Sequence, residues 1–114
     1  MALNYNLSKV YALSDNDSEF VTQIISLFVT EVPQDLKQIG LGIKTKDHKL
    51  AYAYAHKIKP TLDLLGMTMA HEEILQVEAW TRAEGKRKEI DATFESIEDQ
   101  VEKAIKEIKK DFDI

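Results

Sequence analysis

Apolar residues along the chain recur at steps of three and four, the period of one face of an α-helix. A first long helix is predicted to open at the cap-rich cluster Ser14-Asp15-Asn16-Asp17-Ser18 and to carry Phe20, Val21, Ile24, Ile25, Leu27 and Phe28. Pro33 should kink it or start a new segment, Leu36 and Ile39 continue the spacing, and Gly40 and Gly42 should stop it. Before it, Leu7 to Leu13 reads as a short helix laid across the end of the fold. A second long helix is expected from about Thr45–Asp47 to Gly66, with Ala51, Tyr54, Ala55, Ile58, Leu62 and Leu65 on its core face and Tyr52, His56, Lys59 and Asp63 on the other. Thr68 should cap a third helix reaching about Arg82, with Ala70, Ile74, Val77 and Thr81 inward and a turn at Glu84-Gly85-Lys86. From Arg87 to the end, Ile90, Phe94, Ile97, Val101, Ala104 or Ile105, Ile108 and Phe112 form one stripe, and Lys106, Lys109 and Lys110 complement the negative end of the helix dipole.

Four long helices joined by short connections predict an all-α fold: an antiparallel four-helix bundle with a short extra N-terminal helix, in one domain over residues 1–114. Composition agrees. Only four glycines and two prolines are present, too few turn residues for a sheet of short strands. With 44% hydrophobic and 31% charged residues, the chain has enough apolar surface to fold without a partner.

The net charge of -5 disfavours nucleic acid and anionic membrane as partners. Without cysteine there is no disulfide framework, thiolate metal site or thiol catalysis. No stretch reaches the roughly 18 to 20 apolar residues of a membrane span, and Met1 to Asn6 carries neither a basic leader nor an apolar run, so a cytoplasmic location is expected. A glycine-rich phosphate loop, a nucleophile elbow and a dinucleotide fingerprint are all missing, which argues against a nucleotide-dependent kinase.

Three histidines remain as reactive candidates. His48, in Lys46-Asp47-His48-Lys49, reads as a solvated residue of a charged helix start. His71 is followed by Glu72 and Glu73 but lacks a second histidine at i+4, so the zinc-protease pattern fails. His56 lies roughly 160° around the helix from Ile58, near the centre of the polar face. Lys59 follows at i+3, close enough to set an ammonium beside anything bonded to the imidazole, and small Ala53 and Ala55 leave room. An exposed imidazole is a nucleophile, and a neighbouring cation favours an anionic group on it. By geometry alone, a pair of solvated polar residues is the other reading. Trp80 and Arg82 could border a docking surface, with Trp80 equally able to pack at a bundle edge.

The segment Ala55-His56-Lys57-Ile58-Lys59-Pro60-Thr61, followed by Leu65-Gly66, resembles the signature of the histidine-containing phosphotransfer (HPt) domain family, Ala-His-x-(Leu/Ile)-Lys-Gly with a Leu-Gly pair near the end of the same helix. The resemblance extends to Phe20 and the run to Phe28, Pro33, Leu36, Asp47, Leu50 and the Val77-Glu78 pair, over about residues 15–82. One position departs: Pro60 stands where the family usually has glycine. Proline cannot donate to the His56 carbonyl, so a bend at the site is expected.

The resemblance implies that His56 accepts a phosphoryl group from a receiver-domain phospho-aspartate and passes it to another, with Lys59 as the counter-charge. It implies no ATP site or cofactor of its own, since the magnesium belongs to the partner receiver. The implied partners are response-regulator receiver domains and a hybrid sensor histidine kinase. A monomer is expected, because the last helix needs its stripe for the core. The alternative from another functional class is a helical interaction module with the same shape and no phosphotransfer.

Overall fold

Ser18 begins the helix that organises the molecule because Asp17, in extended conformation, accepts a hydrogen bond from the Glu19 amide at 3.0 Å, and Glu19 adds a negative charge to the first turn. In the computed structural model, which describes residues 4–114, the chain forms α1 (Ser8–Ser14), α2 (Ser18–Thr45), α3 (His48–Leu64), α4 (Thr68–Arg82) and α5 (Arg87–Asp111), with no strand among the described residues. Residues 1–3 of the Met1–Asn6 stretch lie outside that range. No helix among the described residues is long and apolar enough to cross a membrane.

Consecutive helices pack on one another from α2 to α5, and α5 returns to α2, so the four long helices close a ring around one cluster of buried side chains. Phe28, Ile39, Ile58, Leu62, Ile74, Val77, Ile97 and Ile108 lie at its centre, at the spacings the sequence predicts. Tyr54 is only half-buried, and Ala104 rather than Ile105 takes the inward position on α5. The short helix α1 packs on α2, while Asn6 donates its amide to the Leu65 carbonyl at 2.7 Å and Lys9 pairs with Asp63. Tyr5 ties the N-terminal segment to α5 by donating its hydroxyl to Asp111 at 2.6 Å; burial and that carboxylate push the phenol well above its usual range.

Several expectations about the helices are corrected. Gly40 and Gly42 do not stop α2, which runs unbroken through Pro33 to Thr45 and ends at Lys46, in left-handed conformation with its amide on the carbonyls of Gly42 and Ile43. The two glycines instead permit close approach: a Cβ on Gly42 would lie 2.7 Å from the Ala51 nitrogen and 2.9 Å from the Asp47 carbonyl oxygen, and one on Gly40 would lie 3.2 Å from the Phe94 ring. Thr68 is not the cap of α4; Met67 occupies that position without a side-chain hydrogen bond, and Thr68 is the first helical residue. The last helix stops at Asp111, leaving Phe112 half-buried beyond it. Ala55 provides no room beside His56, because it is fully buried.

Gly42 sets the entry to α3, the helix that carries His56. Alanine is the better helix former by about 1 kcal/mol, so propensity alone favours Gly42→Ala. The contact with α3 backbone outweighs it, and Gly42→Ala should destabilise the fold by roughly 1–3 kcal/mol in urea denaturation. A stabilised variant would show that the α2–α3 corner is loosely packed.

Candidate functional site

Asp47 caps α3 by accepting from the Leu50 amide at 3.1 Å, and the apolar residues Ala51, Ala55, Ile58 and Leu62 press one face of the helix into the core. That orientation leaves the opposite face outward. His56 falls midway along α3 and its side chain is 60% exposed. The helix continues unbroken through Pro60 to Leu64.

The imidazole is nevertheless held. Its Nδ1 lies 3.0 Å from Oε2 of Glu78, a residue of α4 whose side chain is only 4% exposed. The other carboxylate oxygen of Glu78 accepts from Lys59 Nζ at 3.1 Å. Lys59 is therefore not a freely solvated counter-charge on the same open surface as His56: it is half-buried and turned onto the same carboxylate. On the other side, Tyr52 stacks on His56 with ring centroids 5.6 Å apart and planes 12° from parallel.

Burial opposes ionisation of Glu78, but the hydrogen bonds from Lys59 and His56 outweigh it and hold the carboxyl below its ordinary value. An ionised carboxylate can only accept, so the hydrogen between Glu78 and His56 sits on Nδ1. In a neutral ring that places the lone pair on Nε2. The arrangement presents one nucleophilic nitrogen from a rigid helix, with a buried anion behind the ring and an ammonium one turn away.

A second buried carboxylate pairs with α3 from α2. Asp35 of α2, 5% exposed, accepts from Lys57 at 3.0 Å, and Glu31 lies 3.6 Å from the same ammonium. That hydrogen bond and the two anions raise the Lys57 pKa. The two lysines thus diverge, Lys57 toward α2 and Lys59 toward α4, while His56 stays exposed.

The remaining candidates take other roles. His48 is not a solvated residue: it is half-buried, its Nε2 is 3.0 Å from the Gly85 carbonyl, and its ring lies against Trp80 with centroids 4.7 Å apart. Trp80 is a packing residue, 7% exposed, whose Nε1 donates to the Lys86 carbonyl at 2.8 Å and closes the α4–α5 turn. Arg82 is exposed at the end of α4. His71 stands in the first turn of α4, and among the described residues no three histidine or carboxylate side chains assemble a metal site.

Sequence reasoning placed Glu78 only as half of an apolar-Glu pair. The available signal was its position: it falls within the stripe of Ile74, Val77 and Thr81, where a carboxylate needs a charged or hydrogen-bonding partner. Compared with protein-family models, curated proteins and solved structures, the chain matches none.

Proposed function

We propose that the chain is a phosphorelay intermediate, a single antiparallel four-helix bundle of the HPt kind that carries a phosphoryl group on His56 between receiver domains in the cytoplasm. The observation that carries this reading is the exposed His56 at mid-helix with its Nδ1 on the buried Glu78 carboxylate. The Ala55–Thr61 motif supports it independently.

The chemistry follows from the tautomer. Nε2 attacks the phosphorus of a receiver aspartyl phosphate, the N–P bond forms, the acyl P–O bond breaks, and the aspartate leaves as a carboxylate. No proton has to leave the ring: Nδ1 keeps its hydrogen, and the phosphorylated imidazole gains positive charge that Glu78 opposes directly. The return step runs through the same contacts in reverse. The receiver supplies magnesium to neutralise the phosphoryl oxygens, and this chain supplies a positioned nucleophile.

Lys59 can divide its three hydrogens between Glu78 and an arriving phosphoryl group, since i and i+3 share a helix face. Lys59→Ala should slow phosphoryl acceptance about tenfold with the helical circular dichroism retained. An unchanged rate would reduce Lys59 to a structural partner of Glu78.

The reading is tested by incubating the protein with a radiolabelled phospho-receiver and treating the product with acid and base. Label that is acid-labile and base-stable, as phosphohistidine is, supports it. Failure to take label from a panel of charged receivers would replace the relay by the helical interaction module.

A further inference from the structure

Glu78 holds His56 at one point. A single hydrogen bond fixes the distance of Nδ1 from Oε2 but leaves the ring free to rock about that axis, which would swing Nε2 through an arc. Because in-line transfer depends on the direction of the Nε2 lone pair, a rocking ring would spend part of its time misdirected. The side chain is 60% exposed, so general packing does not supply the missing restraint.

A ring contact with Tyr52 does. Tyr52 precedes it by four residues, the spacing that brings side chains together on a helix, and its ring lies within 12° of parallel at 5.6 Å between centroids, an offset stack. A flat contact restrains the plane of the imidazole, the degree of freedom that the Glu78 bond leaves open. The two contacts meet the ring on its Nδ1 edge and on one face, so the Nε2 edge is the part presented to an incoming phosphoryl group. Tyr52 is itself half-buried on α3, which limits its own rotation.

We infer that Tyr52 is a positioning residue for the His56 nucleophile: it acts through the imidazole plane by stacking, and its hydroxyl is not required. The inference rests on the phosphotransfer reading for its functional consequence, but the restraint on the ring is independent of that reading.

The test compares Tyr52→Ala and Tyr52→Phe with the parent protein in three measurements: His56 side-chain relaxation by heteronuclear NMR, carbethoxylation of His56 by diethyl pyrocarbonate, and phosphoryl acceptance from a charged receiver. In Tyr52→Ala the His56 ring should become more mobile while Nδ1 keeps its hydrogen, because Glu78 still sets the tautomer. Carbethoxylation should hold or rise, since a small reagent meets a less covered ring from any side, whereas acceptance from the receiver should fall about three- to tenfold. Tyr52→Phe should match the parent in all three. A mere shield over the histidine predicts the opposite for acceptance, which would rise together with carbethoxylation. Unchanged ring mobility in Tyr52→Ala, or a phenylalanine variant as impaired as the alanine one, overturns the proposal. If the parent accepts no phosphoryl group and the alanine variant still frees the ring, the relay reading fails and the positioning role stands.

Discussion

His56→Gln should abolish phosphoryl acceptance and leave the helical circular dichroism and melting temperature close to those of the parent. The loss should be complete rather than graded, because an amide has no lone pair that can replace Nε2 as the nucleophile. Stability should change by no more than about 0.5 kcal/mol, the usual range for an exposed substitution, since the side chain is 60% exposed and buries no apolar partner in the core. Glutamine also has the reach to donate to Glu78 and keep that carboxylate partnered. Label retained on this variant would point to another acceptor, and among the described histidines the choice would fall on His71, because His48 is engaged with Gly85 and Trp80.

The features legible in the sequence were those governed by one helix at a time. The apolar steps through α3 put Ala51, Ala55, Ile58 and Leu62 in the core, and His56 on the open face follows from the same period. What the pattern could not supply was contact between helices. Glycine carries a local signal for termination, yet Gly40 and Gly42 answer to Phe94 and to the α3 backbone, both distant in sequence or across a turn. His48 looked solvated because its neighbours are charged; its partners, Gly85 and Trp80, arrive from the α4–α5 corner. Lys59 falls on the polar face by the helical period, and its turn onto Glu78 depends on a contact from α4 that the period of α3 does not contain.

Laying α4 beside α3 gives the site its electrostatic character. Two buried carboxylates flank the His56 region, Asp35 from α2 and Glu78 from α4, and each is matched by a lysine of α3. Burial of an unpaired carboxylate would cost several kcal/mol, so each lysine is fixed in direction by the anion it must neutralise. Only Glu78 has a second oxygen bound to the histidine, which makes it the group through which charge on the imidazole is felt by the rest of the fold.

Glu78→Gln should therefore lower phosphoryl acceptance by about 10- to 100-fold while the protein stays folded. Two effects act in the same direction. The neutral amide no longer opposes the positive charge that the ring gains on phosphorylation, and its NH2 group can donate to Nδ1, which moves the ring hydrogen to Nε2 and removes the nucleophile. Heteronuclear NMR of the imidazole separates them, since only the second changes the tautomer. The same variant reads the acid limb of stability. Glu78 is held below its ordinary 4.5 in the folded state, so its ionised form contributes stability that is fully present above that value and is lost as pH falls through the lowered folded value. At pH 7 the parent should be more stable than Glu78→Gln, and the gap should close on acidification below 4.5 as the carboxyl takes up its proton and comes to resemble the amide. A gap that stays constant across that range would mean that Glu78 stabilises the fold by packing, and its hold on His56 would then carry no charge-dependent part of the transfer.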